Sequence, residues 1–234
     1  MRKAKNMKKP AGRRKGLLIV FEGLDASGKH TQCELFLKKL KSLELKTAFY
    51  AFPAYATKSG KIIKKYLAGD YGGKNALPPR AIALLYALDR AQFKNKIARD
   101  LKKGRIVVCD RYVQSNLYQA AKLPRTQRPT FIEWAKRLES GMPRADAVVF
   151  LDVPPVLGRK LLKKRGRKID VHEADARFQR EVRREYLKAA KRTKNWAVVN
   201  CAKDGRLASR EEIAGRVWRS LAKTVSNFFK PEKT

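Results

Sequence analysis

The sequence predicts an α/β domain in which about five parallel strands are covered by helices on both faces, built around a phosphate-binding loop. Three observations predict it. Short β-favouring apolar runs alternate with amphipathic stretches of helix length from residue 17 to the closing segment. The first run, Leu17 to Phe21, leads into Gly23, Gly28 and Lys29 at the spacing G-x-x-x-x-G-K. A later run, Arg105 to Cys109, ends on a carboxylate, Asp110, and open parallel sheets bind their ligands outside the carboxyl ends of their strands.

The loop has a direct physical reading. A strand delivers the chain into a tight turn whose backbone N–H groups face inward around a polyphosphate. Lys29 adds a point charge, and the following helix adds the positive end of its dipole. Residues Gly23, Leu24, Asp25, Ala26, Ser27, Gly28, Lys29, His30 and Thr31 are therefore the candidate nucleotide-binding segment. Cys33, Leu37 and Leu40 mark the buried stripe of the helix behind it. The position after the lysine ordinarily carries a hydroxyl that ligates Mg²⁺; here it is His30, with Thr31 one place later. His30 reads either as a solvated residue in the first helical turn or as a phosphate contact.

The chain's 234 residues suit one domain, and 44% apolar content is enough to fill a core. Lys and Arg outnumber Asp and Glu by 56 to 21, a formal net charge of +35, more than a local anion cleft needs. Residues 1–15 hold eight Lys or Arg and no acid, and are expected to be a disordered arm that either contacts nucleic acid nonspecifically or aids solubility. Residues 226–234 are expected to form a loose tail, leaving 16–225 as the domain. No apolar run approaches the ~18 residues of a membrane span. Residues 17–21 are too short for a signal core. Cys33, Cys109 and Cys201 lack metal-ligand spacing and fall in or beside apolar runs, so a cytoplasmic chain with reduced thiols is expected.

Further strands are expected at 46–52, 145–153 and 195–201, with prolines stopping the first two of these. Helices are expected near 58–67, from Pro78 to about Lys102, over 112–122 and 131–139, after Pro155, over 174–194 and along the ridge Ile213, Val217, Leu221, Val225 and Phe228. In the long helix from Pro78, Ile82, Leu85, Tyr86, Asp89, Arg90 and Phe93 share a face. Asp89 and Arg90 are out of place on that stripe and read either as a boundary ion pair or as site residues. The basic run Lys163 to Lys168, about Gly166, sits between two helices. It reads either as a lid over the phosphates, spanning about 163–175, or as a solvated charge run.

The motifs together resemble the thymidylate kinase (dTMP kinase) family of P-loop nucleoside monophosphate kinases over about Gly16 to Thr224. The matching pieces are Phe21-Glu22-Gly23-Leu24-Asp25, Gly28-Lys29, Phe52-Pro53, Leu88-Asp89-Arg90, Asp110-Arg111-Tyr112, Ser115-Asn116, Gly141 to Asp146, Leu151 to Pro155 and Asp170 to Glu173. Singly each is weak; in this order and spacing they are specific.

The resemblance implies transfer of the γ-phosphoryl group of Mg²⁺-ATP to dTMP, giving dTDP and ADP, in a homodimer. It implies that Lys29 holds the ATP phosphates and that Arg111 bridges donor and acceptor. Asp25 lies near the acceptor sugar and phosphate, and Asp110 anchors Mg²⁺ through water. Tyr86 stacks on the base, while Arg90 and Asn116 read its edge. Phe52, Tyr55 and Tyr118 complete the dTMP side, and Arg165 and Arg167 supply catalytic charge from the lid, since Ala26 leaves no arginine within the loop. The chain departs from the family pattern at His30, at Ala54 (where an acceptor-phosphate arginine is common, leaving Tyr55 or Lys58 for that contact) and in the spacing from Asn116 to Tyr118. The +35 charge is not explained by the family. Two alternatives are a kinase for another (deoxy)nucleoside monophosphate, since one methyl in an apolar pocket is worth only ~1–3 kcal/mol, and a kinase-fold protein that binds nucleic acid.

Overall fold

The computed structural model describes residues 16–72, 75–164, 172–173 and 175–229. The basic arm and the lid arginines Arg165 and Arg167 lie outside the described residues. Five strands, β1 (Leu17–Gly23), β2 (Thr47–Ala51), β3 (Ile106–Asp110), β4 (Ala147–Asp152) and β5 (Trp196–Asn200), form one parallel sheet in the order β2-β3-β1-β4-β5. The expected α/β class and strand number are both met.

β1 is buried along its whole length because it is central and covered on both faces. The two-residue period of a strand sends Leu17, Ile19 and Phe21 to one face. There they pack on α1 (Lys29–Ser42) through Cys33, Phe36 and Leu40, and on α9 (Arg210–Phe229) through Ile213, Val217, Leu221 and Val225. Leu18 and Val20 go to the other face, against Tyr112 and against Ile97 and Leu101 of α4 (Lys94–Lys102). All three cysteines are free and buried, two of them within the sheet strands or the helix beside them. Among the described residues no helix is long and apolar enough to cross a membrane.

The remaining helices are α2 (Lys58–Ala68), α3 (Pro79–Ala91), α5 (Leu117–Ala120), α6 (Arg128–Leu138), α7 (Pro155–Lys164) and α8 (Ala176–Arg192). The single helix expected from Pro78 to Lys102 is two. The chain breaks at Gln92 and Phe93, where the Phe93 ring packs edge-on against Tyr50 and Phe52, with centroids 6.0 and 5.5 Å away. The helix expected over 112–122 is a 3₁₀ turn at Val113–Asn116 followed by the short α5. A hairpin of β6 (Ala202–Lys203) and β7 (Arg206–Leu207) turns at Asp204 and Gly205, both at positive φ. α9 continues to Phe229, so residues 226–229 of the expected tail belong to the closing helix.

Candidate active site

The site gathers at the carboxyl ends of β1 and β3, where the connections leave the sheet. The loop after β1 follows the geometry its glycines require. A Cβ on Gly23 would lie 2.5 Å from Ser27 Oγ and 3.1 Å from the carbonyl oxygen of Leu151. Gly28 caps α1 in the left-handed region at φ 78°, and Ala26 also has positive φ, at 59°. Lys29 curls back into the loop and donates to the carbonyl oxygens of Leu24 (2.7 Å) and Gly23 (3.2 Å). Burial lowers its pKa to about 8, the Arg111 charge acts in the same direction, and Asp25, Asp110 and Glu22 pull the other way.

Arg111 follows β3 in the left-handed region, at φ 64°, a conformation L residues adopt only where their surroundings enforce it. The enforcing group is Glu22, a fully buried carboxylate that sequence reasoning places in a motif without a role. It accepts from the Tyr112 amide (3.0 Å), from Ser115 Oγ (2.9 Å) and from the Tyr186 hydroxyl (2.7 Å). The Arg111 amide meanwhile donates to the carbonyl of Phe21 at 2.9 Å. Burial raises the pKa of Glu22, although the Arg111 charge and these three donors act to lower it.

So held, the Arg111 guanidinium donates to Asp25 at 2.6 Å and lies over the Tyr118 ring, 4.8 Å from its centroid. The Tyr118 hydroxyl accepts from Arg111 at 3.3 Å and donates to Asp25 at 3.2 Å. Gln179 of α8 also donates to Asp25, at 3.1 Å, and has no counterpart in the sequence reading. Burial works to raise the pKa of Asp25, but the charges of Arg111, Lys29 and His172 outweigh it and hold the carboxyl below its ordinary value. The structure thus brings Lys29, Asp25, Arg111 and Tyr118 into one cluster. Asp110 ends β3 beside it, and His30 Nδ1 stands 3.5 Å from its carboxylate. The His30 side chain is 62% exposed and also faces Glu34, which fits its solvated reading.

A second cluster adjoins through the turn from Asn116 to Tyr118. Arg90 and Asp89 do not pair with each other at a boundary; both are buried and each has its own task. Arg90 donates to both carboxylate oxygens of Glu139, at 2.6 and 2.9 Å, and to Asn116 Oδ1 at 3.3 Å, while Asn116 donates to Glu139. Glu139 follows α6 and is absent from the expected set, 49 residues away from Arg90 in sequence. Asp89 accepts from the Ala54 amide (2.8 Å), Thr57 Oγ1 (3.0 Å) and Ser59 Oγ (2.8 Å), fixing the turn into α2. Tyr55 and Lys58 sit on that turn, both exposed; Phe52 is buried against Phe93 and Tyr112; Tyr86 is half-buried one turn before Arg90.

The thymidylate kinase family model matches residues 21–213. A probable thymidylate kinase of Pyrococcus abyssi is 33% identical over 204 residues, covering 85% of this chain and 92% of that protein. The thymidylate kinase of Caenorhabditis elegans is 34% identical over 220 residues, covering 89% of this chain and 92% of that protein. Among solved structures, a thymidylate kinase from Candida albicans shares the fold with a TM-score of 0.73 at 24% identity, over 92% of this chain and 94% of that one. With its phosphate loop and both polar clusters inside the matched span, the chain belongs to the thymidylate kinase family.

Proposed function

We infer that the chain phosphorylates dTMP to dTDP with ATP as donor, and that the residues described above carry the reaction. The observation that carries this reading is Arg111. It is held in a strained backbone conformation by a buried carboxylate, and its guanidinium is aimed at Asp25 beside the loop of Lys29. Phosphoryl transfer demands in-line positioning and cations at the oxygens that gain charge, with little covalent chemistry. Lys29 and the loop amides of residues 23–31 take the donor phosphates. Arg111 exchanges Asp25 for phosphate oxygens when the substrates enter, and Asp25 and Tyr118 are left to position the acceptor's sugar and phosphate. Tyr86 stacks on the base, and Arg90 with Asn116 reads its edge. Phe52 and Tyr55 close the acceptor side. Arg165 and Arg167 add positive charge from the lid.

The donor set suits Mg²⁺. That ion is held by one or two carboxylates together with substrate phosphates, and it keeps several waters. Asp110 offers one hard, partly exposed carboxylate at the strand mouth, and would hold the ion through water. When bound, the ion neutralises charge on the phosphates.

We assign the chain as a cytoplasmic homodimer. Support for the dimer comes from an apolar groove between α3 and the end of α6, where Leu84, Leu88 and Leu138 remain exposed beside Ala87, Ala91 and Met142. The arm, residues 1–15, would add a nonspecific contact to nucleic acid. A coupled assay over a panel of nucleoside monophosphates tests the central reading. dTMP should give the highest kcat/KM; a stronger preference for another monophosphate overturns the substrate, and no turnover with any of them overturns the activity.

A further inference from the structure

The arm accounts for eight of the cations, so most of the +35 charge resides in the folded part, and the kinase chemistry uses little of it. α8 concentrates that excess in one place. Its exposed positions Arg177, Arg180, Arg184, Lys188 and Lys191 are spaced i, i+3, i+7, i+11 and i+14, which is one stripe of a helix, and every one of them is cationic. Arg192 extends the stripe at its end.

The carboxylates near this ridge are already committed. Glu181 is shared among Arg125, Arg128 and Arg184, and these arginines hold its pKa down at about 2 against the opposing effect of its own burial. Glu185 is buried on Arg128, and Asp152 accepts from Nε and Nη2 of Arg183. Among the described residues, Arg177, Arg180, Lys188 and Lys191 pair with no carboxylate. The apolar side of α8, formed by Phe178, Val182 and Tyr186, is buried in the domain.

We propose that the outer ridge of α8 is a docking surface for duplex DNA, bound through its phosphates and without sequence preference. Charge complementarity carries the assignment. Five cations over fourteen residues of rise make a row about 21 Å long, and a duplex carries one phosphate per ~1.7 Å of axis counting both strands, so phosphates of the two strands flanking a groove lie within reach along the row. The ridge has no aromatic side chain to stack on unpaired bases, as single-strand sites require. It has no exposed apolar face to insert in a lipid surface, as interfacial helices require. B-form DNA offers a major groove about 12 Å wide, matching a helix with its side chains, whereas that of duplex RNA is deep and narrow.

The test is fluorescence-anisotropy binding of a 30-base-pair DNA by the full chain over several salt concentrations. Three proteins are compared: the wild type, R177Q/R180Q/K188Q/K191Q on α8, and K96Q/R99Q/K102Q/K103Q on α4 and its C-cap. Both variants lose the same charge, and the arm is present throughout. Each phosphate neutralised contributes about 0.9 to the log–log salt slope, so the α8 variant should lose about three to four from the slope and at least tenfold in affinity. The α4 variant should lose less than one from the slope. Equal losses in both variants would show that overall charge and not the ridge binds DNA, and absence of binding by the wild type would end the idea. Tighter ridge-dependent binding to duplex RNA, to single strands or to anionic phosphatidylserine vesicles would overturn DNA as the partner. dTMP phosphorylation, measured in parallel, should be unchanged in both variants. The binding result therefore stands or falls separately from the kinase reading.

Discussion

Arg90 donates two hydrogen bonds to Glu139 with both side chains almost wholly excluded from solvent, at 1% and 4% exposure. Such a pair is held by two partners that each depend on the other. Removing one leaves an uncompensated buried charge, at a cost of about 3–5 kcal/mol. Because Asn116 joins the same network, the geometry that would read the base rests on Glu139. Glu139→Gln keeps the shape and removes the charge. We expect it to lower Tm and raise KM for dTMP at least tenfold, with a much smaller change in kcat and in KM for ATP. Equal rises in both KM values would mean that Glu139 supports the fold alone.

Arg111→Ala is expected to reduce kcat by well over tenfold while ATP binding survives. In the role proposed for it the guanidinium meets the charge that develops during transfer, and single donors of that kind are worth about 2.7–4 kcal/mol. Arg111→Lys should recover little, since the fork that meets Asp25 and stacks on Tyr118 is planar. Titrating ATP by calorimetry beside a steady-state assay separates the two effects. A loss of less than tenfold in kcat ends the assigned role.

The phosphate loop was legible because all its instructions lie within nine consecutive residues, from Gly23 to Thr31, and each is a local steric or electrostatic requirement. Asp25, Arg111 and Tyr118 were legible as candidates through family resemblance, but their pairing depends on strand order. β3 lies beside β1 only because the connection from β1 to β2 skips one strand position that β3 later fills, which no local pattern states. Glu22 and Glu139 escaped for the same reason: their partners are 90 and 49 residues away, and a single glutamate carries no periodic signal. Phe93 misled in another way. It continues the apolar spacing of α3, so the helix break, which arises from its packing on Tyr50 and Phe52, leaves no mark in that spacing. The Asp204–Gly205 hairpin does carry a local signal, the Asp-Gly pair, in strands too short to show alternation.

The lowered pKa of Lys29 predicts a proton uptake on binding ATP. Free Lys29 titrates at about 8 against an ordinary 10.5. Bound polyphosphate stabilises the ammonium and raises that value. Well below pH 8 the lysine is charged in both states and contributes no pH dependence. As pH rises past 8, the free enzyme loses the proton while the complex keeps it, so affinity falls by up to tenfold per unit. Calorimetry in two buffers of different ionisation enthalpy should give an uptake that is small near pH 7 and rises toward one proton as pH passes 8. Lys29→Met should abolish the difference. An uptake near zero at pH 9.0 in the wild type would show that Lys29 is not depressed in the free enzyme.

His30 stands where a phosphate loop ordinarily presents a hydroxyl, yet its ring is turned toward Asp110 and Glu34 at 3.5 Å from each and is largely exposed. A side chain so placed makes little difference to the phosphates themselves. We therefore expect His30→Ser and His30→Ala each to retain kcat within a few-fold. They should differ in their metal requirement. Serine restores a hydroxyl at the position that ordinarily ligates Mg²⁺, so His30→Ser should reach half-maximal rate at lower Mg²⁺ than either the wild type or His30→Ala. A Mg²⁺ titration at fixed ATP and dTMP reads this directly. If both variants instead lose more than about a hundredfold in kcat, equivalent to about 2.7 kcal/mol, His30 turns from Asp110 to the phosphates during the reaction, and its exposed position is only that of the free enzyme.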